Sequence, residues 1–95
     1  MYCIWQYTLK FLKKYQCPCC GCFTYNVPLN EDCGDICPVC FWENDPFITS
    51  DDEPSDSNHG ITLNEAIANY LRFGACEEEM LCYVRPSKSN EKRSS

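Results

Sequence analysis

Ten cysteines in a chain of 95 residues pose the first question, because a thiolate can bind a metal, attack a substrate or enter a disulfide. Four of them fall into two C-x-x-C pairs, Cys17-Pro18-Cys19-Cys20 and Cys37-Pro38-Val39-Cys40, with sixteen residues between Cys20 and Cys37. This spacing matches a C-x-x-C…C-x-x-C zinc pattern. Two residues between cysteines let a tight turn aim both sulfurs at one point. Two such turns supply four sulfurs in a tetrahedron, which suits Zn²⁺ with no position left open. A proline after the first cysteine of each pair presets φ for the turn. Gly21 follows the first pair, where a positive φ is free of strain, whereas Phe41 holds the matching place after the second. The expected ligands are therefore Cys17, Cys20, Cys37 and Cys40 around one structural zinc ion, with iron the less favoured occupant of the same four thiolates. A closed four-sulfur site lacks the open position that zinc catalysis requires, so no enzyme is expected.

The remaining cysteines leave alternatives open. Cys19 and Cys22 form an overlapping C-x-x-C, so a second possible ligand set is Cys19 and Cys22 with Cys37 and Cys40. A second metal at Cys19, Cys22 and Cys33 has no fourth sulfur near it in sequence. Cys3, Cys76 and Cys82 read as small apolar residues. A thiol redox protein using Cys19 or Cys22 is the catalytic alternative. Negative charge on zinc-bound neighbours would raise the pKa of a nearby thiol, which argues against it. His59 is the chain's one histidine and reads as a loop residue, with no serine or carboxylate placed beside it by the sequence.

Composition bounds the setting. The length fits one small domain whose own core is modest, so a staple is expected. The first twelve residues carry Gln6, Thr8 and Lys10, with no basic leader region and nothing near the ~20 apolar residues of a membrane span. A cytoplasmic protein with reduced thiols is expected, the rival being a secreted disulfide-stapled domain. The formal charge is −6, and four thiolates around one Zn²⁺ take it to about −8. That sign argues against nucleic acid, which is bound by basic faces, and suits a protein partner, basic in charge.

The elements that must position the sulfurs follow from periodicity. Residues 1–14 form an N-terminal extension whose apolar residues fit either a helix or a strand. Residues 15–86 form the zinc-binding domain, and 87–95 read as a disordered tail rich in Ser, Lys, Asn and Glu. Between the cysteine pairs, Phe23, Tyr25, Val27 and Leu29 alternate with polar residues or proline, predicting a half-buried strand. Asn30 to Gly34 supplies a turn and Ile36 leads back, giving a hairpin with a cysteine pair at each base. Residues 44–60 read as a solvated acidic loop, since their register does not fit a calcium loop. Residues 62–74 predict a helix. Thr62 and Glu65 make a capping box, Gly74 is placed to end the helix, and Leu63, Ala66, Ile67, Tyr70 and Leu71 share one face, to be covered by the strand and Trp42. Residues 80–84 read as a short edge strand. The fold class expected is small α+β: a zinc-ribbon-like β-hairpin with two cysteine knuckles, packed against one C-terminal helix.

With these residues in hand, the chain resembles the bacterial cysteine-rich CPCC domain family. The resemblance is carried by Tyr-Gln-Cys-Pro-Cys-Cys-Gly at 15–21, Ile-Cys-Pro-Val-Cys-Phe-Trp-Glu-Asn-Asp at 36–45, Leu-Asn-Glu-Ala at 63–66, Asn69-Tyr70 and Phe73-Gly74-Ala75. It spans roughly residues 15–87. Where the family's pattern carries an acidic pair, this chain has Asn44-Asp45. The resemblance implies a small zinc-ribbon-like domain and no particular reaction. The functions to weigh are a zinc-stabilised protein-binding module, an immunity or antitoxin-like binder of a basic toxin through the acidic stretch 44–58, and the thiol redox protein.

Overall fold

The computed structural model describes residues 14–30 and 34–92. Nearly all of the N-terminal extension, Cys3, Cys33 and the middle of the expected Asn30–Gly34 turn lie outside these residues. The described elements are β1 (Tyr15–Gln16), β2 (Phe23–Tyr25), a 3₁₀ helix at Asp56–Asn58, α1 (Leu63–Phe73) and a second 3₁₀ helix at Glu78–Tyr83. This is the expected small α+β architecture: a two-stranded antiparallel hairpin, one helix and a cluster of four cysteines.

The ladder sits differently from the sequence expectation. β1 pairs with β2 across the first cysteine turn, Tyr15 opposite Tyr25 and Gln16 opposite Phe23. A single bridge between Ile36 and Glu43 flanks the second cysteine turn in the same way. Each cysteine pair is thus the tip of its own short ribbon, rather than the base of one long hairpin. β2 ends at Tyr25, short of Leu29. Val27 is exposed, and Pro28 has no N–H to continue a ladder.

The helix follows its sequence signals closely. Thr62 Oγ1 accepts from the Glu65 N–H and the Glu65 carboxylate accepts from the Thr62 N–H, closing the capping box. Gly74 ends the helix in the left-handed region, its N–H donating to the Tyr70 carbonyl. Leu63 and Ala66 are buried with Tyr25 and Trp42, and Ile67 and Tyr70 pack against that cluster. Leu71, assigned to the same face, is 78% exposed. At about 100° per residue it lies roughly 80° round from Leu63, beyond the contact stripe.

Two other expectations are corrected. Residues 80–84 lie in and after the 3₁₀ helix, not in an edge strand: Glu77 is extended and its carbonyl accepts from Met80 N–H, which starts the turn, and Leu81 and Tyr83 stay exposed. Cys82, read as a small apolar residue, is exposed as well, whereas Cys76 is buried. The stretch 44–60 is not simply solvated. Asp45, Ser55 and Asn58 are buried in a polar knot. Ser55 Oγ donates to Asp45 Oδ2 at 2.7 Å and accepts from Asn58 Nδ2 at 2.9 Å. The Asn58 side chain also pairs with the backbone of Glu43 in both directions. A buried carboxylate needs such donors, and their spacing in sequence hides the arrangement.

After α1 the chain returns to the ribbon. Cys76 N–H donates to the Cys40 carbonyl at 2.7 Å, and Arg85 N–H to the Pro38 carbonyl at 3.2 Å. Residues 87–91, expected to be disordered, follow suit: Glu91 accepts from Phe23 N–H at 2.7 Å through its carbonyl and takes both Arg85 guanidinium nitrogens on its carboxylate. The Arg85 guanidinium holds the Glu91 carboxyl down to about 2. Beside the polar knot, His59 stands in the left-handed region at φ 60° and its Nδ1 lies 2.6 Å from Glu77 Oε1. The Glu77 carboxylate raises the His59 pKa above its ordinary value.

These contacts set measurable outcomes. Ser55→Ala removes a donor from a buried carboxylate and should cost about 2 kcal/mol, while Thr62→Ala, a cap loss, should cost about 1 kcal/mol. Denaturant melts should rank the two in that order. Because the folded pKa of His59 is raised, its pairing with Glu77 contributes fully below the unfolded pKa and is lost as pH rises through the folded one. A ring-proton NMR titration should place the His59 midpoint above 6.5, and Glu77→Gln should move it down.

Candidate metal centre

The two cysteine turns are built alike, hydrogen bond for hydrogen bond. In the first, Cys17 N–H donates to the Cys22 carbonyl at 2.8 Å and Gly21 N–H to the Cys17 carbonyl at 2.9 Å. In the second, Cys37 N–H donates to the Trp42 carbonyl at 3.0 Å and Phe41 N–H to the Cys37 carbonyl at 2.7 Å. The residue after each pair takes a positive φ, 80° at Gly21 and 71° at Phe41. Glycine adopts this region without penalty. Phenylalanine pays about 1 kcal/mol or more for it, which the ring's packing on Tyr83, centroids 5.4 Å apart, helps offset.

These turns bring the sulfurs of Cys17, Cys20, Cys37 and Cys40 together, all within 4.8 Å of one another. Cys17–Cys40 and Cys20–Cys37 are each 3.6 Å apart. Four sulfurs about 2.3 Å from a tetrahedral ion would stand about 3.8 Å from each other, whereas a disulfide would be about 2.05 Å, so the quartet fits a metal and does not fit cystine. The eight cysteines among the described residues are free. Cys17, Cys37 and Cys40 are almost wholly buried, and Cys20 is partly so. Cys19 and Cys22, the alternative partners, are also buried but lie outside the converging quartet.

Crowded thiols divide their protons unequally. The Cys37 thiol is held well below the usual range by sulfur hydrogen bonds from Cys17, Cys20 and Cys40, and Cys17 is lowered too. Cys20 and Cys40 are pushed up, first by Cys17, because another thiolate beside an existing one is disfavoured. A divalent cation reverses that penalty and lets all four ionise. Burial pushes Cys76 up to about 12, which makes it an inert thiol rather than a nucleophile.

Two residues that sequence reasoning did not place at the site border the quartet. Thr24 Oγ1 donates to Cys37 Sγ at 3.1 Å. Tyr25, fully buried, donates its hydroxyl to the Trp42 carbonyl at 2.8 Å and sits 3.8 Å from Cys17 Sγ. Period-two alternation put Thr24 on the solvent side, and no signal in one chain marks a hydroxyl as a sulfur neighbour. His59, exposed and paired with Glu77, takes no part in the cluster.

Comparison with curated proteins gave no match, and neither did comparison with solved structures. The model of the family described as "Cysteine-rich CPCC" matches residues 15–91, a span that takes in both cysteine turns, α1 and the C-terminal return to β2. The chain belongs to the cysteine-rich CPCC family.

Proposed function

We propose that this protein is a structural-zinc domain that acts by binding another protein and catalyses no reaction. The observation that carries the metal half is the largely buried sulfur quartet, all within 4.8 Å, which fits the tetrahedral four-thiolate geometry that Zn²⁺ takes in closed sites. Cys17, Cys20, Cys37 and Cys40 would hold the ion, and the ion would cross-link the two ribbons. With four protein ligands no position is left for a substrate or an activated water. The burial of Cys19 and Cys22 weighs against a reactive-thiol role.

The partner half is supported by charge. The chain's −6 and the exposed Asp51, Asp52 and Asp56 favour a basic protein surface and disfavour nucleic acid. An immunity or antitoxin-like binder of a basic toxin is the specific version of this reading. Among the described residues no helix is long and apolar enough to cross a membrane. A cytoplasmic setting, where thiols stay reduced, suits the site.

Native mass spectrometry with elemental analysis tests the metal: one zinc per chain is expected, and iron or no metal would overturn that part. Structural zinc binding is on the order of 10 kcal/mol, comparable to a small domain's whole stability, so Cys37→Ser or strong chelation should largely unfold the chain by circular dichroism. Retained folding in both cases would show that the quartet does not staple the domain. A low-salt pull-down from the native cell extract that returned no protein would count against the partner half.

A further inference from the structure

We propose that Thr24 is a positioning residue for the metal centre, its hydroxyl donating to the Cys37 thiolate and thereby slowing metal loss. The inference rests on the proposed metal site and deepens it. Four thiolates and a divalent ion leave a net charge of −2, and thiolates enclosed by protein need hydrogen-bond donors. Thr24 lies on β2, is nearly buried, and places Oγ1 3.1 Å from Cys37 Sγ. A Thr–O–H···S contact at that distance is short for sulfur, consistent with a charge-assisted bond.

The neighbouring residue sharpens the assignment. Tyr25 OH lies 3.8 Å from Cys17 Sγ, but its proton is directed to the Trp42 carbonyl at 2.8 Å. Tyr25 therefore braces the second turn's backbone, while Thr24 serves a sulfur directly. The strand delivers both because β2 runs from the first cysteine turn past the second.

The test uses the full-length zinc-loaded protein and its Co²⁺-substituted form, with Thr24→Val and Thr24→Ser. Partners outside the ligand sphere typically change metal affinity about 10–100-fold. Thr24→Val should weaken zinc binding about tenfold in chelator competition, speed zinc release, and shift the sulfur-to-cobalt charge-transfer band. Thr24→Ser, which keeps the hydroxyl, should restore both affinity and band position. Equal affinity and an unchanged cobalt spectrum in folded Thr24→Val would overturn the inference. If the valine variant fails to fold, the wild-type chain loaded with ¹¹³Cd still decides: a scalar coupling between cadmium and the Thr24 hydroxyl proton supports the bond, and no coupling to a slowly exchanging hydroxyl refutes it. Wild-type protein that binds no metal would instead defeat the metal site itself, and native mass spectrometry separates the two failures.

Discussion

The constraint on which this fold depends is the convergence of four sulfur atoms at the centre of a very small domain. Thiolates that close cannot all carry charge unless a cation joins them. The surroundings are arranged around that problem. Two turns of matching hydrogen-bond pattern fix the sulfurs, and Tyr25 and Trp42 wall them in. The helix contributes a modest apolar stripe, of which Leu63 and Ala66 are the buried part. So narrow a stripe leaves much of the organisation to the cysteine turns.

Around this centre the chain is tied by polar contacts more than by a large core. The Asp45–Ser55–Asn58 knot anchors the acidic stretch, and its hydrogen bonds reach the Glu43 backbone next to the buried Trp42. Asn44 donates its amide to the Leu29 carbonyl at 2.8 Å. A carboxylate there would set an acceptor against an acceptor. The acidic face proposed to meet a partner is thus presented by a braced segment, and a braced surface loses less conformational entropy on association.

Much of this was legible in the residues. The cysteine spacing named the four sulfurs that converge, and the Thr62–Glu65 box with Gly74 marked both ends of α1 to the residue. These signals are local, because capping and knuckle turns are set within a few positions of each other. What the sequence hid is non-local. Residues 80–84 looked like a strand because apolar type alone does not distinguish a strand from a 3₁₀ turn. The polar knot ties Asp45 to Ser55 and Glu43 to Asn58 across ten and fifteen residues, and the Glu91 anchor depends on β2 lying beside a segment of disorder-like composition. Thr24 was misplaced because alternation assumes one buried face, and β2 is packed on both where it passes the sulfurs.

The left-handed backbone at Phe41 carries a consequence for synthesis. Its unfavourable torsion is local, but the ring that rests on it belongs to Tyr83, far along the chain. Gly21 needs no such help, so the first knuckle can relax as soon as it leaves the ribosome. The second gains that ring only once the polypeptide has been made through Tyr83, which places relief of its torsional strain late in translation.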